Sequence, residues 1–268
     1  MQAVLELAVD IHRIGRPGTP TTAMAQHFFA EPGADAHHVY VGACHDGCAA
    51  VFLLHLDATS GRLSAPQDDG EPLEPAAAVG ERGAPWVTAH PSGSHAYTCV
   101  RDGEQNYIAG WTIDGVTGRL TPAQPHARAD TELKSSPHCS VSPCGRLLVA
   151  SAMSGGGAVA YALGPEGELP AAPTDVLKMH GGGSGVNPKR STANLCHSAQ
   201  MAMGGRHVLV PDLGADKVWS LALNADSSSN TKAGPSSPRH RCLAIASPPF
   251  EAAGGAGPRH LATHPNSK

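Results

Sequence analysis

The strongest constraint on this chain is a motif written four times. A small or polar residue opens each copy; a short alternating run, a polar turn rich in proline or glycine, and a second run follow. The copies read Ala84-Pro85-Trp86-Val87 to His90-Pro91-Ser92-Gly93, Ser136-Pro137-His138-Cys139 to Ser142-Pro143-Cys144-Gly145, Leu195-Cys196-His197-Ser198 to Gly204-Gly205, and Pro258-Arg259-His260-Leu261 to His264-Pro265-Asn266-Ser267. With Trp86, His138, His197 and His260 equivalent, the intervals are 52, 59 and 63 residues. A period a little above about 40–50 residues reads as a propeller blade with long loops. A propeller sets equivalent residues of successive blades around one channel, so the repeat also says where a site lies. The expected fold is therefore all-β: a β-propeller of four-stranded antiparallel blades.

Runs of β-branched and aromatic residues between turn residues mark the strands. They fall at His38–Gly42 and Ala50–Leu56, then at His95–Val100, Arg146–Ser151 and Arg206–Pro211 as middle strands. Tyr107–Ile113, Ala158–Leu163 and Lys217–Leu223 read as outer strands. A closing turn recurs as Asp57-Ala58-Thr59-Ser60-Gly61-Arg62-Leu63 and Asp114-Gly115-Val116-Thr117-Gly118-Arg119-Leu120, and in shortened form over Gly164–Leu169. These are residue types that bond their own backbone or tolerate positive φ. Val176–Ala193 and Asp226–Pro238 read as loops, and no helix of useful length is expected.

A chain of 268 residues suits one large all-β domain. With 31 glycines, 23 prolines and only 4% aromatics, its core must be built from small aliphatics. A formal charge of −4 without basic runs argues against a nucleic-acid surface. No apolar stretch approaches the roughly 18 residues a membrane span needs. Seven scattered cysteines, an odd number, fit free thiols in a reducing compartment, and the cytoplasm is the expected location. Residues 1–35 read as an N-terminal extension, disordered or carrying an organellar targeting segment, ahead of a propeller domain over 36–268.

Several elements together resemble one family. They are Tyr40-Val41-Gly42 with the Asp-x-x-x-Gly-Arg-Leu turn, Pro137-His138-x-Ser140-Val141-x-Pro143-x-Gly145, Asn187-Pro188-x-Arg190, and His197-Ser198. Val210-Pro211-Asp212-Leu213-Gly214-Ala215-Asp216 and Gly257-Pro258-Arg259-His260-Leu261-Ala262-x-His264-Pro265-Asn266 complete the set. In order and spacing over roughly residues 38–268 they resemble the seven-bladed β-propeller lactonases. That family includes propeller-type 6-phosphogluconolactonases of carbohydrate metabolism (the pentose phosphate pathway) and fungal carboxy-muconate lactonising enzymes. Two departures stand out. The family runs on for about two more blades beyond the Gly-Pro-Arg-His element, so the resemblance implies about four blades and part of a fifth here, in an incomplete ring; and it writes His-x-His where this chain has Leu195-Cys196-His197.

Opening a lactone needs a group to move a proton and a cation to hold the oxyanion that forms. His138, at the start of an inner strand, is the candidate base or proton shuttle. Its alternative role is packing against the neighbouring blade. Arg190 and Arg259 are the candidate anion holders, because a guanidinium forks onto carboxylate or phosphate. The resemblance implies that both line a substrate pocket. His197 and His260 sit at the repeat-equivalent place and either orient substrate or satisfy a carbonyl. Asp212 either orients an arginine or histidine or closes a turn.

Other motifs carry no chemistry. His180-Gly181-Gly182-Gly183 lacks an accompanying Gly-x-Ser-x-Gly elbow, and the glycine run to Gly185 lacks the end of a phosphate loop. Asp212, Asp216 and Asp226 belong to separate turns, and the resemblance implies neither metal nor cofactor. The expectation is a metal-independent lactone hydrolase acting on a small-molecule lactone, with no nucleic-acid or membrane partner. A muconate-type cycloisomerase, and a non-catalytic propeller fragment that binds a protein or a sugar acid, are the rivals.

Overall fold

The computed structural model describes residues 22–29, 36–45, 48–65, 77–80, 83, 86–102, 105–124, 128–130, 134–224 and 241–264. They form two compact units, 1–123 and 124–268, each carrying two antiparallel sheets.

In the first unit, one sheet runs β1 (Thr22–Phe29), β2 (Ala36–His45), β3 (Cys48–Asp57) and β4 (Leu63–Ser64), with β5 (Ala77–Gly80) also on β3. The next sheet runs β6 (Trp86–Ala89), β7 (His95–Asp102) and β8 (Gln105–Ile113), with β9 (Leu120–Pro122) on β8; β10 (Arg128–Asp130), whose residues fall past the division at 123, also pairs with β8. In the second unit, β11 (Cys139–Val141), β12 (Leu147–Ala152), β13 (Gly157–Ala162) and β14 (Asp175–Lys178) form one sheet. The last contains β15 (Gln200–Ala202), β16 (His207–Asp212), β17 (Lys217–Leu223) and β18 (Leu243–Ile245), with β19 (Phe250–Glu251) also on β17. The first three strands of each sheet are neighbours in chain order, the meander of a propeller blade.

Three expectations change. The strands read as outer, β8, β13 and β17, are third in their sheets; short strands whose sequences carry little β signal close the edges. One of these, β14, takes the first residues of the supposed Val176–Ala193 loop. Thr22–Phe29, inside the segment expected to precede the fold, is hydrogen-bonded to β2, with Ala23 opposite Ala43. Residues 1–21, and the Asp226–Pro238 loop, lie outside the described residues. Among those described there is no α-helix, only a 3-10 turn at Met203–Gly205.

Alternation along the strands divides the core. Tyr40, Val51 and Leu53 turn toward Val87, Val100, Trp111 and Leu120 of the neighbouring sheet. Their partners in sequence, Val39, Val41, Ala50, Phe52 and Leu54, pack on the opposite face. In the second unit Leu147, Val149, Ala158 and Ala160 meet Val208, Val210, Trp219 and Leu221. The scarce aromatics are spent well inside, with Tyr40, Tyr97 and Tyr161 at 0% exposure. Each such side chain contributes about 1.5–3 kcal/mol on burial.

The two Asp-initiated turns close by the same bonds. Asp57 Oδ1 accepts the amides of Thr59 and Ser60, and Asp114 Oδ1 those of Val116 and Thr117. Gly61 and Gly118 then take φ of 70° and 71°. Their surroundings differ: a Cβ on Gly61 would meet nothing within 4 Å, whereas one on Gly118 would stand 2.8 Å from the His38 ring. The Gly118 carbonyl also accepts the Tyr40 hydroxyl at 2.6 Å.

Candidate active site

Four of the six candidate residues meet in the second unit. The His138 ring lies 6.4 Å from that of His260, and the His197 ring stands perpendicular to His260 at 4.9 Å, centroid to centroid. Arg259 donates its Nε–H to His197 Nε2 at 3.0 Å. His138 and His197 are buried, at 2% and 6% exposure, while Arg259 is exposed and His260 half-buried. The repeat therefore brings its histidines together, although their local structures differ. β11 starts one residue after His138, His197 lies beside the isolated bridge Cys196–Asp212, and His260 belongs to no strand.

The backbone explains how the rings are held. His197 N–H donates to the Pro211 carbonyl at 3.0 Å. Ser151, fully buried on β12, donates its hydroxyl to the carbonyls of both His138 (3.2 Å) and His197 (3.0 Å). Ser140 on β11 reaches the Ala199 carbonyl at 2.7 Å, and the Ala199 amide donates to His138 Nδ1 at 3.3 Å. A ring that accepts at Nδ1 carries its hydrogen on Nε2 when neutral. His138 is thus set up as an Nε2–H donor. Burial, then the charge of Arg259 and the neighbouring His260, hold His197 neutral by pushing its pKa down to about 3.

Arg190, on the loop that carries Ser184, packs against the separate loop that carries Arg259. Its guanidinium lies 3.3 Å from where a Cβ on Gly257 would be. Asp216 ties the two loops together: it accepts Ser184 Oγ–H at 2.6 Å from the first and the amides of Gly255 and Gly257 at 2.7 Å each from the second. These bonds, with a contribution from the Arg190 charge, hold the Asp216 carboxyl below the ordinary carboxylate range. They also offset its left-handed backbone, φ 56°.

Asp212 is fully buried, and its oxygens are taken by other groups. Oδ1 accepts the amides of Leu195, Gly214 and Ala215 at 2.8, 3.2 and 3.0 Å. Oδ2 accepts Asn194 Nδ2 at 2.6 Å and Trp219 Nε1 at 3.2 Å. Of the two roles read from sequence, this environment matches the closing of a turn. The sequence reading gave no role to Ser151 and named Ser140 and Asp216 only as parts of motifs, since nothing local shows what a strand serine or a turn aspartate will bond. No group of three or more His, Cys, Asp or Glu among the described residues could hold a metal ion. No helix among them is long and apolar enough to cross a membrane. Cys99, Cys139, Cys144, Cys196 and Cys242 are free thiols.

The seven-bladed β-propeller lactonase family model matches residues 38–268. The chain belongs to that family. The lactonase fold recurs in a candidate 6-phosphogluconolactonase of Bacteroides fragilis, 19% identical with a TM-score of 0.66 over 84% of this chain. The periplasmic gluconolactonase of Pseudomonas aeruginosa is 19% identical, with a TM-score of 0.69 over 87% of this chain. A candidate 6-phosphogluconolactonase of Bacteroides uniformis, 16% identical, gives 0.58 over 92%. The chain spans 56%, 60% and 59% of the lengths of these three proteins. No curated protein matches it.

Proposed function

We propose that this protein hydrolyses a lactone carrying an anionic group, in the manner of a 6-phosphogluconolactonase and without a metal. The observation that carries the reading is the grouping of His138, His197 and His260, with His197 bonded to Arg259, within a chain of the lactonase family. Arg259 and Arg190 bind the substrate's phosphate or carboxylate. His138 donates from Nε2 to the lactone carbonyl oxygen as water adds to the carbon. The bond to the ring oxygen then breaks as that oxygen takes up the proton removed from water; the carbonyl re-forms, its proton returns to His138, and a single ring-opened hydroxy acid leaves.

A base role for His138 requires the other tautomer, with two N–H groups facing each other at Ala199. Leaving that buried amide without an acceptor costs about 1–3 kcal/mol, so donation comes first and proton uptake second. His260, half-buried beside both other rings, is placed to take the water's proton in support. We further propose that residues 36–268 act as the catalytic domain, that the protein works in the cytoplasm, and that neither nucleic acid nor membrane is a partner.

The test compares loss of 6-phosphogluconolactone with the spontaneous rate. His138→Ala should lower kcat about 100-fold or more. Turnover equal to the spontaneous rate, unchanged by His138→Ala, refutes the proposal. A carboxy-muconate lactone assayed beside it separates the hydrolase from a cycloisomerase.

A further inference from the structure

We infer that His197 is a positioning residue: it grips Arg259 by Nε, so that the arginine can fork an anion only through its two terminal nitrogens. The inference rests on the anion-binding role given above to Arg259.

A guanidinium has two edges that can fork an anion, one made by Nε with a terminal nitrogen and one made by the terminal pair. In this structure the Nε–H points at His197 Nε2, 3.0 Å away. The first edge is therefore closed to a carboxylate or phosphate. The acceptor itself is held still. Its amide is bonded to the Pro211 carbonyl, its carbonyl receives the Ser151 hydroxyl, and its ring stands at 90° to His260. Arg259, by contrast, is exposed. A long side chain with a free end is thus fixed near its head by a buried ring, which reduces the rotamer freedom lost when an anion binds.

The ring's proton inventory supports the same arrangement. With Nε2 accepting, neutral His197 carries its hydrogen on Nδ1, which is buried and has no partner among the described residues. A second proton would remove the only lone pair facing Arg259 and set one cation against another. Arg259 and His260 face the ring, and both disfavour its charge. His197 therefore serves as a neutral acceptor across the working pH range.

The experiment uses the whole chain labelled with nitrogen-15, and inorganic phosphate as probe. Histidine nitrogen shifts should report His197 with hydrogen on Nδ1, and a coupling across the hydrogen bond should link Arg259 Nε to His197 Nε2. Both signals should survive saturation with phosphate while the terminal nitrogens of Arg259 shift. His197→Gln, which keeps an acceptor, should hold phosphate affinity within about threefold. His197→Leu should weaken it about tenfold, the worth of one hydrogen bond to a charged group. Loss of the coupling on adding phosphate, or equal phosphate affinity in folded His197→Leu and wild-type protein, overturns the inference. None of these readouts needs turnover: a protein that passes them but hydrolyses no lactone loses the reaction and keeps the positioning role.

Discussion

The Ser151 hydroxyl donates to the His197 carbonyl at 3.0 Å, across 46 residues of sequence and from one sheet to the next. It also donates to the His138 carbonyl. Ser151→Ala removes this one shared donor from a fully buried place; the His138 carbonyl keeps the Ser151 amide at 2.9 Å, while the His197 carbonyl loses its hydroxyl partner. The expected loss is about 1–3 kcal/mol in chemical denaturation, with a fall in activity as the two rings loosen. A variant as stable as wild type would show that the serine does not set the histidine backbones.

Asp175 plays a comparable part at the outer edge. Its Oδ2 accepts the amides of Cys242 and Leu243, both at 2.8 Å, and so fastens β18 to the preceding sheet. It also helps, with burial, to push the Cys242 thiol up to about 12. Asp175→Ala should destabilise by about 2–3 kcal/mol and speed hydrogen exchange at residues 242 and 243. Exchange that stays slow at both amides counts against this.

Asp212→Asn should be among the most damaging single-atom exchanges. The new amide NH₂ must face donors on whichever side it turns: the Leu195, Gly214 and Ala215 amides, or Asn194 and Trp219. A loss of about 3 kcal/mol or more is expected, with a changed Trp219 fluorescence spectrum. Near-normal stability would mean that the turn can repack.

His197 makes acid stability a second reporter. Above about pH 6.5 its ring is neutral whether folded or unfolded, and its titration does not affect stability. As pH falls toward about 3, the unfolded ring takes a proton that the folded ring refuses. The fold therefore weakens through that window. His197→Gln should flatten the slope of unfolding free energy between pH 6 and pH 4, whatever its absolute stability; an identical slope speaks against the depressed pKa.

Asp216 titrates lower. Its bonds to Ser184, Gly255 and Gly257 favour the carboxylate. Their contribution is present at neutral pH and disappears as pH drops below the ordinary carboxylate range. The Gly255 and Gly257 amides should then exchange faster. Asp216→Asn should show the fast exchange already at pH 7, and protection that persists there would sink the idea.

Sequence made the architecture legible where strands carry their own signal. Lys217–Leu223 was located to the residue, and β2, β3, β7, β12 and β16 within a few. It failed at Thr22–Phe29, whose Met, Ala and Gln residues give no alternation and whose strand state comes from pairing with β2. The short edge strands β14 and β18 escaped for the same reason. At the site, the repeat correctly marked the histidines as companions. What each ring does was hidden, because it depends on Ala199, Ser151 and Arg259, and only folding brings those within hydrogen-bond reach of the rings they serve.

The twin turns ending at Gly61 and Gly118 share spelling and dihedral angle, yet one faces open space and the other lies under the His38 ring. Asparagine, which tolerates a left-handed backbone, is admissible at the first and collides at the second. Two copies of one motif thus tolerate different substitutions, and a designer swapping turns between repeats must treat the first as interchangeable and the second as part of its neighbour's wall.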